Sequence, residues 1–159
     1  MELFLDLDGV FADFDGHYKA LTGVFPWEVH KKVMWKTINS TPTFFLDLPL
    51  MKGADRLWEV TKHLNPTFLT GAPSNHSFRE QKHAWVAKTF GPEWKVIVLP
   101  KKDKHLHAHG NAILIDDTEA VIDSWFAKGG LGILHVDVDE TIEKLGAYVT
   151  ALRVKALRG

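Results

Sequence analysis

Two carboxylates set two residues apart, Asp6 and Asp8 in Leu3-Phe4-Leu5-Asp6-Leu7-Asp8-Gly9-Val10, are echoed far along the chain by Ile113-Leu114-Ile115-Asp116-Asp117. Each apolar run stops abruptly in acid, as a buried parallel strand does when its carboxyl end opens into a crevice. Bare carboxylates about 4 Å apart repel by several kcal/mol even at a moderate effective dielectric constant, so four converging acids imply shared protons, a bound cation or both. A hard divalent ion, Mg2+, is the natural occupant. It would take one oxygen from Asp6, the backbone carbonyl of Asp8 and one oxygen from Asp116 or Asp117, with phosphate and water filling the remaining places. Asp116-Asp117-Thr118 would also serve as a helix N-cap, but carboxylates at a strand end facing Asp6 favour the metal.

A carboxylate nucleophile needs no base to activate it. A second carboxyl group beside it can protonate a departing alkoxide and afterwards deprotonate an attacking water. That division of labour suits cleavage of a phosphate monoester, because a halide leaving group would need no proton. Phe68-Leu69-Thr70-Gly71 ends another apolar run with a hydroxyl and a glycine, group types that hold phosphate oxygens, although Thr-Gly is also an ordinary strand ending. Lys82 lies on a helix face bounded by Phe78 and Val86, where a solvated lysine is out of place. It either points at an anion or covers apolar surface with its stem while its ammonium reaches water. Lys101, Lys102 and Lys104 are rival phosphate contacts and rank below Lys82, since a run of lysines in a loop is usually solvated.

Five short apolar runs stand ready to position these groups: Leu3 to Leu7, Thr67 to Leu69, Lys95 to Leu99, Ala112 to Ile115 and Gly132 to Val136. Helical stripes lie between most of them: Leu57, Val60 and Leu64; Phe78, Trp85, Val86 and Phe90; Val121, Ile122, Trp125 and Phe126. A last helix starts near Asp139 and carries Ile142, Leu145, Val149, Leu152 and Leu157. This alternation predicts an α/β, Rossmann-like three-layer sandwich with a five-stranded parallel sheet. The stretch from about 15 to 50 is too long for an ordinary connection and reads as a small helical cap inserted after the first strand, with one helix from Pro26 to about Asn39. Trp27, Trp35, Phe44 and Phe45 crowd it. They either pack the cap onto the sheet or line a pocket for a flat apolar substrate group.

The 159 residues, 45% of them hydrophobic, suit one domain, and a net charge of −1 gives no sign of the broad basic surface that holds duplex nucleic acid. There is no cysteine, no basic-then-apolar leader and no apolar run near twenty residues, so a soluble cytoplasmic protein without a membrane partner is expected. The spacing of His105, His107 and His109 would bring them together only on a strand. They precede the fourth strand in a loop and are not read as a zinc site. Asp137, Asp139 and Glu140 most simply cap the final helix.

Taken in order, Asp6-Leu7-Asp8-Gly9-Val10, Leu69-Thr70-Gly71, Lys82 and Leu114-Ile115-Asp116-Asp117 resemble the four motifs of the haloacid dehalogenase superfamily of phosphatases. Within it the chain is similar to the 5'(3')-deoxyribonucleotidases, through Asp6 to Phe14, Phe44-Phe45 before Leu48-Pro49, and Lys82 to Pro92. The resemblance implies Asp6 as a nucleophile that forms a phospho-aspartate, Asp8 as general acid and base, Thr70 and Lys82 on the phosphate, and a metal carboxylate from Asp116-Asp117. It places Phe14, Phe44, Phe45 and Trp35 near a base-binding pocket under the cap. In that family the residue after the threonine is often serine; here it is Gly71. The expectation is a magnesium-dependent phosphomonoesterase for a small phosphorylated molecule, a nucleoside monophosphate first, working as a monomer or homodimer. Phosphate contacts would come from Thr70, Gly71, Lys82 and Lys104. A sugar phosphate, a phosphorylated nucleic-acid end, or a binding role without catalysis are the alternatives.

Overall fold

Strand β1 (Glu2–Leu5) sits at the centre of a parallel sheet because its two faces are both apolar: Leu3 and Leu5 join one buried cluster while Phe4 joins another. The computed structural model describes all residues from Met1 to Gly159. Strands β2 (Thr67–Gly71), β3 (Val96–Leu99), β4 (Ala112–Asp116) and β5 (Leu131–Leu134) complete the order β3-β2-β1-β4-β5, every pair parallel. β4 repeats the two-sided pattern, with Ile113 and Ile115 in the first cluster and Ala112 and Leu114 in the second. A sheet buried on both faces needs helices on both, which makes the three layers.

The larger cluster is covered by α3 (Ala54–Thr61), α4 (His76–Phe90) and α6 (Val138–Arg158), through Leu57, Phe78, Trp85, Val86, Leu145 and Val149. The smaller is covered by α5 (Glu119–Ala127), through Val121, Ile122 and Trp125. On α4 the buried residues Phe78, Gln81, Lys82, Trp85 and Val86 recur at helical spacing, so a single face carries both core and polar groups. Asn75 caps α4 and Asp137 caps α6, each side chain accepting a backbone N–H of the first turn. The chain leaves β1 to one side through β2 and β3 and returns to its other side through β4. The order therefore reverses at β1, and the crevice at the strand carboxyl ends opens there.

The segment after β1 departs from expectation in detail. A helix that the sequence reading lacked, α1 (Phe14–Thr22), is capped by Asp13, whose Oδ1 accepts from Gly16 N at 2.9 Å, and ends at left-handed Gly23. The single helix expected from Pro26 to Asn39 is a 3-10 turn at Pro26–Glu28 followed by α2 (Lys31–Asn39). The break has a local cause: Glu28 folds back onto Phe25 N at 2.6 Å, and the extended His30 caps α2 through Nδ1 on Lys32 N at 3.2 Å. The base of the segment is pinned by Asp13 N to Pro49 O and Met51 N to Phe11 O, both 2.8 Å. β1 is shorter than read, since the chain turns after Leu5, and β5 lies earlier, which leaves Val136 76% exposed in the following turn. Val60, Phe126 and Leu157 leave their stripes for solvent. No helix is long and apolar enough to cross a membrane.

Candidate active site

Pairing carries the acids to one place. Leu5 lies opposite Ile115, and Asp6 N donates to Ile115 O at 3.0 Å, so Asp6 and Asp116 leave adjacent strands side by side. Beyond them the chain turns tightly: Leu7 O accepts from the backbone N–H groups of Val10, Phe11 and Ala12, and Gly9 takes φ +82°. A Cβ at Gly9 would collide with the Asp117 carboxylate, so glycine is required twice over, for the turn and for the close approach. Oxygens of Asp6, Asp116 and Asp117 fall within 4.8 Å of one another.

Two buried lysines are threaded among these acids. Lys104 Nζ lies 2.7 Å from Asp6 Oδ1 and 2.7 Å from Asp116 Oδ2, and Lys82 Nζ lies 2.6 Å from Asp8 Oδ2 and 3.0 Å from Thr70 Oγ1. Lys82 also sits 4.8 Å from the centre of the Phe45 ring. Burial works against the Lys104 ammonium, but the Asp6 and Asp116 charges outweigh it and hold its pKa above the ordinary lysine value. Asp116 spends both oxygens, one on Lys104 and the other on Thr118 N at 2.9 Å; burial, then Asp6, raise it to about 6. Asp117 opens to the crevice. Its surroundings desolvate it, Asp6 and Asp116 repel it, and together they raise it to about 7 against the pull of Lys101.

Above the acids is a cavity of about 550 Å³, in the range that holds a small organic ligand. Asp6, Asp8, Gly9, Gly71, Lys104 and Asp117 line its floor, and Phe14, Trp35 and Phe45 its side. Several expected contacts lie elsewhere. Thr70 and Lys82 are shut behind Asp8 and do not line the cavity; Lys104, ranked lower, does. Lys104 is no solvated loop residue, because a 3-10 helix at Lys101–His107 swings it inward to 1% exposure. Phe44 is also corrected: it is fully buried between Phe14, His17 and Phe45 and does not face the cavity.

The residues that sequence reasoning missed are Asp15, Lys31 and Gln81. Asp15 and Lys31 line the cavity from α1 and α2. Burial, then Asp13 and Asp8, raise the Asp15 pKa. Gln81 accepts from Phe45 N at 3.0 Å and Leu46 N at 3.3 Å and donates to Pro42 O and Ser77 Oγ at 3.0 Å each, tying α4 to the strap that carries Phe45. Its signal was available: a glutamine beside Lys82 on an otherwise apolar face.

The donor set fits a hard divalent cation. All available ligands are oxygens, those of Asp6, Asp116 and Asp117 lie within 4.8 Å of one another, and four carboxylates face two buried ammonium groups, an excess of acid that a cation would offset. Of the Asp116-Asp117 pair, Asp117 has the open oxygens.

No protein-family model matches the sequence, and no curated protein is significantly similar to it. Among solved structures, the chain is similar to a hydrolase from Streptococcus pneumoniae TIGR4, at 14% identity over 91% of this chain and 97% of that one, with a TM-score of 0.49. It is also similar to a HAD hydrolase, family IA, variant 3, from Entamoeba histolytica HM-1:IMSS, at 15% identity over 92% of this chain and all of the other, with a TM-score of 0.46.

Proposed function

We propose that the protein is a magnesium-dependent phosphomonoesterase of the haloacid dehalogenase type that acts on nucleoside monophosphates through an aspartyl-phosphate. The observation that carries this reading is the pairing of Asp6 with Lys104 and of Asp8 with Lys82 at the switch point of the sheet. Lys104 engages Asp6 Oδ1, which leaves Oδ2 for attack on phosphorus. As that bond forms the ester P–O bond breaks, and the departing alkoxide takes a proton from Asp8. In the second step Asp8 takes a proton from water, the water oxygen attacks the aspartyl-phosphate, and Asp6 and inorganic phosphate are released. Lys82, fixed between Asp8 and Thr70, orients Asp8 so that its partnerless Oδ1 handles the proton.

Asp6, the Asp8 carbonyl and Asp117 would hold Mg2+, which supplies Lewis-acid stabilisation of phosphoryl charge and a template for the substrate. Lys104 and Gly71 line the cavity with Asp6 and would hold the phosphate, and Gly71 lets the lysine turn pack closely, since a Cβ there would press on Lys101. Phe14, Trp35 and Phe45 on the cavity wall favour a base over a bare sugar. The protein thus reads as one domain with a cap built from α1 and α2.

The experiment is phosphate release from a panel of nucleoside monophosphates and sugar phosphates, with Mg2+ and with chelator. Magnesium-dependent release from nucleotides supports the reading. Release from sugar phosphates alone keeps the chemistry and removes the base pocket, and release from nothing in the panel overturns the enzyme.

A further inference from the structure

The catalytic cavity does not end at Trp35. A second concavity, lined by His30, Lys31, Lys32, Trp35 and Lys36 with the end of α2, adjoins it and shares Lys31 and Trp35 with it. The chain as a whole balances 19 lysines and arginines against 20 acids, yet no carboxylate lines this second concavity. Its three lysines stand on the first turn and a half of α2, with His30 at the N-cap. The pairs Lys31 and Trp35, and Lys32 and Lys36, are each four residues apart and so stack along neighbouring rows of the helix surface. Lys31, Lys32 and Lys36 make no ion pair with any carboxylate, so their ammonium groups are free to meet an anion. A flat indole flanked by free ammonium groups is the arrangement that stacks a base and holds the phosphate beyond it.

We propose that this surface is a second-phosphate subsite, so that the preferred substrate carries a non-reacting phosphoryl group beyond the nucleoside whose phosphate is cleaved. The inference rests on the phosphomonoesterase reading for the orientation of the ligand, and it extends that reading from a nucleoside monophosphate to a nucleotide with two phosphoryl groups. Two sources share this chemistry, a nucleoside 3',5'-bisphosphate and the terminal phosphate of a short single strand, whose second group is a phosphodiester. In either, one phosphate would lie by Asp6 and Lys104, the base or sugar against Trp35, and the second phosphate among Lys31, Lys32 and Lys36.

The test compares equilibrium binding of a nucleoside 5'-monophosphate, the corresponding 3',5'-bisphosphate and a 5'-phosphorylated dinucleotide to the full chain bearing Asp6→Asn, with Mg2+ at low and at moderate salt. Turnover of the same three ligands by the unaltered protein is followed in parallel. A second phosphate held by two or three exposed lysines should tighten binding about tenfold at low salt, and the gain should shrink as salt is added. The double substitution Lys32→Ala with Lys36→Ala should collapse the ratio between bisphosphate and monophosphate. A gain for the bisphosphate alone identifies a small bisphosphate as the ligand; a gain for the dinucleotide that grows with a third nucleotide identifies a strand end. Equal affinity for all three, or a ratio unmoved by the double substitution, overturns the subsite and leaves the monoesterase reading standing if the monophosphate is hydrolysed. Tighter binding of the second phosphate without turnover of any ligand upholds the subsite and removes the enzyme. Should Asp6→Asn not fold, the same ratio is read from competition against monophosphate hydrolysis in the unaltered protein.

Discussion

The ground beneath the cavity and the helix at its rim are built on opposite terms. In and beneath the floor, Asp6, Asp116, Lys82 and Lys104 are nearly sealed from solvent, and both ammonium groups are committed to at least one carboxylate. On the wall at Lys31 and the adjoining concavity at Lys32 and Lys36, the lysines stand free on an exposed helix. A charge in a low-dielectric site has to be held by fixed partners, and the fixing is what turns it into chemistry; a charge in water is free to meet whatever arrives. On the proposed function, reaction type therefore belongs to the strand ends, and choice of substrate to the segment between β1 and α3.

The contrast breaks first at Asp6. Asp6→Asn keeps the shape and an acceptor for Lys104 but is a far weaker nucleophile, so turnover should drop by more than about a thousandfold, with the thermal midpoint little changed. Substantial activity in that variant would sink the covalent mechanism. Lys104→Met should come next. It strips the buried partner from both Asp6 and Asp116, and breaking a buried pair from one side costs about 3–5 kcal/mol. Denaturant unfolding would read this loss, whereas Lys36→Ala on the rim helix should lie within about 0.5 kcal/mol of the unaltered protein. Equal effects of the two would dissolve the distinction between floor and rim.

Much of this was legible without coordinates, and the limits come from range. Apolar runs ending in acid announce strands because the pattern is local, and they announce a site because parallel pairing forces strand ends together. Lys82 was legible for a related reason, since helical spacing alone puts it with Phe78 and Val86. Lys104 was legible only as a lower-ranked rival, because its inward turn depends on how residues 101–107 fold back onto the sheet, which no periodicity records. Phe44 and Phe45 illustrate a finer limit. Neighbours in sequence, they diverge in space, Phe45 toward the cavity and Phe44 into the core, and the arbiter is Gln81, more than thirty residues away. The helix α1 was readable in part, through Asp13 at its start and Gly23 at its end, but the length of the surrounding insertion masked it.

Gln81 joins the two regions, so its removal should move both by less. Gln81→Leu leaves Phe45 N and Leu46 N without their acceptor, at a cost of about 1–3 kcal/mol. If the strap then loosens, KM for a nucleotide should rise several-fold more than kcat falls, because Phe45 lines the cavity and the acids do not depend on it. Gln81→Glu keeps the acceptor and loses the donor to Pro42 O and Ser77 Oγ, so it should restore part of the affinity. A change in kcat alone would place Gln81 in the chemistry through its neighbour Lys82.

The last expected effect is electrostatic, and its sign discriminates. Asp116 and Asp117 titrate near 6 and 7 in the metal-free fold, above their ordinary value of 3.8, so over the interval between the folded chain holds protons that the unfolded chain has released. Stability should therefore fall as pH rises from about 4 to about 7, with the loss complete above 7. His135 acts in the opposite direction. Burial lowers its pKa, so its protonation disfavours the fold below about 6.5, and a single melting curve against pH would mix the two. The difference between melting in Mg2+ and in chelator separates them, since His135 is present in both while the cation relieves only the carboxylates. That difference should widen from pH 5 to pH 8, as ligand protons cease to compete with the ion. A gap that stays constant or narrows over this range would mean that Asp117 is not where the cation binds.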